Sequence, residues 1–435
     1  MSSFSLWRWG ALPPEHRANF IHLYLDIAWF GLLNGSAISF AAIYATRLGA
    51  DSFQIGLLSA SPAVISLIFT LPAGQWLQAH PIRLGVFWTS IFYRLFYLAW
   101  IFLPLFFTQT EQIWALIVVT LLMSIPGTAL AVGFNALFAG AVPPEWRGHV
   151  VGVRNAMLAL TFILTSVVCG YLLEILPFPL GYQVVFLIGT IGAAMSSLHL
   201  WFVRPAEDMP SRPRTGRGLG DLARPGAGQT WGQMVLATVG LRYLVRKMRP
   251  LLRPRVFRQP FGTIIILLFL FHLGQYLAIP LFPVFWVNDL NLTDAQISLG
   301  NAMFYLTVFL GSTQLGYITA RFGNKRLMVM GIMAMSSYPI LTALTTNLTI
   351  FLITAAVGGL AWSVVGGAIS NYILERIPAD DRPSNLAWYN LALNAAVLAG
   401  SLFGPLLADS IGLIPALIIA AAGRFAAALA LARWG

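Results

Sequence analysis

Twelve runs of more than twenty predominantly apolar residues follow one another along the chain, at about 19–44, 53–77, 83–107, 112–141, 149–176, 180–203, 261–286, 293–319, 326–346, 348–375, 385–407 and 411–433. The hydrocarbon of a bilayer is about 30 Å thick, and about 20 apolar residues in an α-helix cross it. A helix satisfies every backbone N–H and C=O within itself, so it is the form such a run takes in lipid. Pro104 and Pro126 interrupt the third and fourth runs and leave the division of that region open. Charged residues make up only 9% of the 435 positions, against 58% apolar. A soluble domain carries roughly 25% charged residues, so these proportions exclude a soluble enzyme. The first twenty residues lack the apolar core and small-residue cleavage site of a signal peptide, and none is expected. Cys169 is the single cysteine, which excludes an internal disulfide and a cysteine metal cage.

Cationic connections stay on the cytoplasmic side of a membrane. The even-numbered connections hold Arg83, Arg147, Arg321, Lys325, Arg326, Arg376 and Arg382, whereas the odd-numbered ones hold only Arg47. Both termini and the central segment 204–258 are therefore expected in the cytoplasm. That segment carries twelve Arg and Lys against Glu207, Asp208 and Asp221, and so supplies most of the net charge of +11. Sidedness and attraction to anionic lipid headgroups explain such a segment without nucleic acid. Within it Met234, Leu241, Leu244, Val245 and Met248 share one helical face and Arg242, Arg246 and Arg249 another, which predicts a basic amphipathic helix on the inner leaflet. The Gly-, Pro- and Arg-rich stretch before it predicts a flexible linker.

The chain repeats itself. Ala141-Val-Pro-Pro-Glu-Trp-Arg147 has a counterpart 235 positions later in Arg376-Ile-Pro-Ala-Asp-Asp-Arg382, and the same offset pairs Asn155 with Asn390 and Glu174 with Asp409. An offset of 242 pairs Gln54-Ile55-Gly56 with Gln296-Ile297-Ser298, and Gly74 with Gly316. Six spans return the chain to the side it left, so the halves share one orientation in the membrane.

The connection after span 8 runs Gly316-Tyr-Ile-Thr-Ala320-Arg321-Phe322-Gly323-Asn324-Lys325-Arg326. It resembles the loop motif of the major facilitator superfamily, with Ala320 where that family has Asp. The first-half copy, from Gly74 to Arg83, places Gln78 at the Asp position. Pro144-Glu145-Trp146-Arg147-Gly148 and Leu180-Gly181-Tyr182 are similar to the family as well, and the resemblance extends over the whole chain. It implies an all-α polytopic membrane protein of twelve transmembrane helices in two pseudo-symmetric six-helix bundles, 1–203 and 259–435, joined by the 204–258 linker and enclosing a central cavity. Span 4 lacks the Arg that proton-linked members often carry. Span 5 lacks the Gly-Pro signature of antiporters, of which Gly400-Ser-Leu-Phe-Gly404-Pro405 in span 11 keeps a trace.

Ionisable side chains within a span are costly and mark a pathway or a partner. Asp26 in span 1 and Arg154 in span 5 lie at similar depth in helices of the same direction, which the family fold places in one bundle; His22 shares the Asp26 face. They are the proton-coupling candidates, with a purely structural ion pair as the alternative. Burial favours the neutral form of a carboxylic acid and a guanidinium favours the ionised form, so a change in their spacing would load or release a proton. Spans 3 and 12 are peripheral in the family, so snorkelling or local pairing is expected of Arg94 and Arg424. The family cavity is lined mainly by spans 1, 4, 7 and 10. The substrate-binding candidates are Trp29 and Asn34, His272, Gln275 and Tyr276, Trp362, and Asn301 and Asn394 from neighbouring spans, with His272 and Gln275 foremost. Such walls suit a neutral or amphipathic organic molecule better than phosphate or a polyanion.

Phosphate-binding glycine loops, metal-spaced His or Cys groups and hydrolase motifs are absent from the sequence, and no metal or cofactor is expected. The function predicted is secondary-active transport of a small organic solute by alternating access, with protons as the candidate driving ion and export favoured over import. The alternatives are a facilitative uniporter of the same fold and, from another class, a membrane-embedded lipid-modifying enzyme or a non-transporting sensor. The expected partners are the lipid bilayer of the cell membrane, a small-molecule substrate and protons, with the chain a monomer.

Overall fold

The computed structural model describes residues 16–205, 256–257, 260–377 and 382–435. The expected amphipathic helix at 234–248, the linker stretch before it and the second copy of the Pro-acid-Arg motif at 378–381 lie outside the described residues. Twelve helices are described: α1 (Arg17–Arg47), α2 (Ser52–Gln78), α3 (Ile82–Phe106), α4 (Gln109–Ala141), α5 (Pro144–Ile175), α6 (Leu180–Phe202), α7 (Pro260–Asp289), α8 (Asp294–Phe322), α9 (Asn324–Ala343), α10 (Leu348–Arg376), α11 (Arg382–Ile411) and α12 (Leu413–Trp434). Eleven are long and apolar enough to cross a membrane by length and composition. The other, α8, has the length at 29 residues, but Asn301, Thr307, Thr313 and Gln314 make it more polar than its fellows. Pro104 and Pro126 divide nothing, since α3 and α4 run straight through them. Proline is tolerated in membrane helices because neighbours and local adjustment satisfy the freed carbonyl.

The sequence repeat becomes a repeat of packing. Within the first six helices the principal pairs are α1 with α5 and α6, α3 with α4 and α6, and α2 with α4; each recurs in the second six, six helices on. The two most extensive pairings between the bundles are α5 with α8 and α2 with α11, and the same operation exchanges them. The correspondence reaches single residues. A Cβ added to Gly56 of α2 would collide with the Ser401 carbonyl oxygen of α11, and one added to Gly170 of α5 would collide with Ser298 Oγ of α8. Glycine at these two crossings lets the backbones approach, as small residues do at helix interfaces in lipid. Both second helices start with the same device. Asp51 and Gln54 form a capping box at the head of α2, and Thr293 and Gln296 form one at the head of α8.

The bundles are closed against each other at the face that carries the odd-numbered connections. There Arg47 Nη2 lies 3.0 Å from Asp294 Oδ1 and donates to the Leu292 carbonyl at 2.6 Å, while Tyr182 donates to Asp294 Oδ2 at 2.7 Å. Deeper in, the Phe162 and Tyr305 rings meet at 3.8 Å between centroids. Further from that face, Leu310 and Tyr317 of α8 are exposed.

The first helix of each bundle is irregular. A π-helical turn, Asn34–Ile38, sits inside α1, and α7 is broken before Pro280 and ends in a π-helical turn, Phe285–Asp289. About one turn before the α7 break, Arg424 of α12 donates to the carbonyls of Gly274 and Gln275 in α7 and of Met335 in α9. This corrects the expectation of snorkelling at a periphery. Arg424 is fully enclosed, with 0% exposure, because Gly274 lets α12 press against α7.

Candidate substrate site

Asp26 stands nine residues into α1 and Arg154 ten residues into α5, and both helices start from the same face. At 1.5 Å per residue each side chain is about 14 Å deep. Gly31 and Gly35 bring α1 against α5, and the two groups meet: Arg154 Nη1 lies 3.1 Å from Asp26 Oδ2 and also donates to the Leu23 carbonyl at 2.5 Å. The Ser196 hydroxyl of α6 donates to Asp26 Oδ1 at 2.5 Å. Asp26 is only 3% exposed and Arg154 only 7%.

A third charge joins them. Arg94 of α3 places Nη2 3.9 Å from Asp26 Oδ1, while its Nη1 donates to Ser197 Oγ at 2.9 Å. Ser197 in turn shares a 2.6 Å hydrogen bond with Ser90. Local pairing was one of two expectations for Arg94, but its position is internal rather than peripheral: α3 packs between α4 and α6, and the guanidinium is 6% exposed. Phe134 covers the Arg154 guanidinium, whose carbon lies 4.8 Å from the ring centroid. One turn towards the terminal face, His22 and His199 bring their Nδ1 atoms to 3.1 Å.

Asp26, Arg94 and Arg154 form one end of a cavity of about 720 Å³. All its lining residues come from α1 to α6, with Phe30, Met123 and Phe134 among the apolar ones. The expected lining by spans 1, 4, 7 and 10 is thus replaced, for this cavity, by one drawn from the first bundle alone. Sites of this size, mostly apolar with a few convergent polar groups, take drug-sized molecules.

The remaining candidates lie elsewhere. His272 and Gln275 of α7 are buried and share a 3.3 Å hydrogen bond, and the Tyr389 hydroxyl of α11 lies 3.4 Å from His272 Nε2. The offset of 235 that links the halves pairs Arg154 with Tyr389, so this neutral contact stands in the second bundle where the ion pair stands in the first. Tyr276, Trp29, Trp362 and Asn301 are half-buried on α7, α1, α10 and α8. Asn34 opens the π-helical turn of α1, and Asn394 donates to the Asn390 carbonyl of its own helix. Of the loop motif, Gly74 and Gln78 end α2, Gly316 and Arg321 lie on the last turns of α8, and Lys325 and Arg326 open α9. Gly323 joins α8 to α9 at φ +76°, which glycine adopts without strain. Tyr389, Ser196 and the inward position of Arg94 are what sequence reasoning missed. Ser90, Arg94 and Tyr97, spaced four and three apart, form a buried stripe on α3 that signals the last of these.

Two repeated bundles of membrane-crossing helices, closed on each other at one face and holding a charged cavity within, define a polytopic membrane transporter rather than an enzyme. The chain belongs to the Major Facilitator Superfamily, whose model matches residues 27–271 and 264–435. Among curated relatives, the quinolone resistance protein NorA of Staphylococcus aureus is 25% identical over 142 residues, 33% of this chain and 36% of that protein. Multidrug resistance protein 1 of Bacillus subtilis is 26% identical over 164 residues, 38% of this chain and 42% of that one. The matches therefore span well under half the length of these relatives. A D-xylose–proton symporter structure superimposes with a TM-score of 0.68 at 14% identity, covering 96% of this chain and 97% of that one. The nucleoside transporter NupG does so with a TM-score of 0.60 at 15% identity, covering 97% of this chain and 99% of that one. These likenesses show the fold.

Proposed function

We propose that the chain is a secondary-active exporter of a small amphipathic organic solute, driven by protons through Asp26. The observation that carries this is the placement of Asp26: a buried carboxylate in the wall of a 720 Å³ cavity, held by three helices of one bundle. Rocking of the bundles opens and closes the cavity wall to water, and with it the hydration of the carboxylate. A proton taken up in one arrangement and released in the other is what coupling requires. Export is favoured by the partial relatives named for quinolone and multidrug resistance. In the proposed orientation the termini and 204–258 are cytoplasmic in the cell membrane, so the closed face is the outer one. The state described is then loaded from the inside. Residues 1–203 and 259–435 act as the two rocking units, and one chain holds both, so a monomer suffices.

The test is transport of a panel of fluorescent amphipathic solutes by protein reconstituted in vesicles, with and without a proton gradient. Wild-type protein should accumulate a solute against its gradient only when a proton gradient is imposed. Asp26→Asn should abolish that accumulation yet leave exchange between equal pools intact. Accumulation that ignores the proton gradient would overturn the coupling, and equilibration alone in the wild type would make the chain a uniporter.

A further inference from the structure

The charges of the cavity do not balance. Asp26 is the single carboxylate among its lining residues, and it faces two guanidiniums, those of Arg94 and Arg154. Both carboxylate oxygens are taken at short range: Oδ2 by Arg154 at 3.1 Å, Oδ1 by the Ser196 hydroxyl at 2.5 Å. Arg94 reaches Oδ1 only at 3.9 Å, beyond hydrogen-bonding distance. The rest of its guanidinium is under-used. Nη1 is met by Ser197 at 2.9 Å and by the Ala193 carbonyl at 3.4 Å, while Nε has no hydrogen-bond partner among the described residues although the residue is only 6% exposed. A second donor in the same wall shares this condition. Trp100, less than two turns along α3 from Arg94, also lines the cavity, and its indole N–H is buried with no partner among the described residues. Buried donors are almost always satisfied, and a buried guanidinium without full compensation is costly. Two orphan donors and one surplus positive charge around a large, mainly apolar space describe a receptor lacking its acceptor.

We propose that this cavity binds an amphipathic organic monoanion, with its carboxylate or an equivalent single anionic group on Arg94, its further acceptor within reach of Trp100, and its apolar body against Phe30, Met123 and Phe134. The assignment rests on the transport reading above and narrows its substrate class. One surplus charge calls for a monoanion; a dianion would leave a negative charge in the same apolar surroundings. The Tyr93 and Tyr97 hydroxyls, which belong to the same wall, bond to each other at 2.8 Å. Asp26 repels an anion, so the ligand is held on the side of Arg94 away from it.

The experiment is calorimetric titration of the purified full-length protein in detergent with three matched probes that carry an ether oxygen as the further acceptor: 4′-methoxybiphenyl-4-carboxylate, its methyl ester and the corresponding 4-aminomethyl compound. Wild-type protein should bind the acid at least tenfold more tightly than the ester and the amine. Arg94→Gln should erase that preference, Arg94→Lys should restore part of it, and Trp100→Phe should weaken the acid severalfold while its preference over the ester is kept. Should Arg94→Gln fail to fold, the probe series on the wild type and Trp100→Phe carry the test. Equal binding of acid and ester, preference for the amine, or an acid preference that survives Arg94→Gln would overturn the assignment. Proton-driven transport of neutral or cationic solutes with no binding of the acid would end this inference and leave the exporter reading standing. Tight acid binding without gradient-driven transport would do the reverse.

Discussion

The three-charge cluster makes the two members of its closest pair unequal, and this inequality is measurable. At an effective dielectric constant near 20, attraction between unit charges at the Arg154–Asp26 separation of 3.1 Å is about 5 kcal/mol, and at the Arg94–Asp26 separation of 3.9 Å about 4 kcal/mol. Replacing Arg154 by Gln therefore leaves the carboxylate with a cation nearly as favourable as the one removed. Replacing Asp26 by Asn keeps the shape but removes one of the two acceptor oxygens and strands two guanidiniums. Stranding a buried charge costs about 3 to 5 kcal/mol, so Asp26→Asn should fall in that range and Arg154→Gln at about half of it. In the double variant only Arg94 is left without an opposite charge, so its loss should fall short of the sum of the single losses by about 1 to 2 kcal/mol. Unfolding of the four proteins in one detergent, followed by intrinsic tryptophan fluorescence against denaturant, gives the ranking directly. If Arg154→Gln proved as damaging as Asp26→Asn, or the two losses simply added, Arg94 would not be sharing the carboxylate and the account of the cluster would be wrong.

Three further outcomes follow from the structure. Gly170→Val puts methyl groups where Ser298 now sits, since even a Cβ there would come within 2.5 Å of the Ser298 Cβ; it should prop the closed face open, so that a cysteine introduced at Thr46 in a Cys169→Ser background reacts with a bulky maleimide faster than in the parent, and an unchanged rate would refute close packing at that crossing. His272→Ala and Gln275→Ala, outside the cavity lined by α1 to α6, should each leave apparent substrate affinity unmoved while expression holds; a weakened affinity in either would bring α7 into the site. Cysteines placed at Asp51 and at Arg217 should label from opposite sides of the membrane, and same-side labelling would refute the proposed topology.

How far the sequence reached differs from element to element. The helices were legible because lipid leaves a long apolar run few alternatives, whereas the capping boxes at the heads of α2 and α8 showed in the sequence only as the repeated Gln54 and Gln296. The meeting of Asp26 and Arg154 was legible from two ionisable residues at one depth on helices of one direction, which the family resemblance placed in one bundle. Arg94 was not, because depth says nothing about azimuth, and α3 was placed at the periphery by analogy rather than by its own Ser90, Arg94 and Tyr97 stripe. The burial of Arg424 escaped for a related reason: its partners are backbone carbonyls about one turn before a helix break, and carbonyls leave no mark in a sequence. The π-helical turn at Asn34–Ile38 has no sequence signature beyond small residues that permit it.

The Arg47–Asp294 pair at the closed face is partly wetted, with side-chain exposures of 28% and 13%. Ion pairs at such sites contribute about 0.2 to 1 kcal/mol, and dissolved ions weaken them over a screening length of about 8 Å at physiological ionic strength. The glycine-mediated crossings beneath it are indifferent to salt. The two fastenings of that face therefore respond to different surroundings, one to the bathing solution and one to the bilayer. Raising the ionic strength at that face loosens the first and leaves the second, so the hold between the two bundles weakens with salt without being lost.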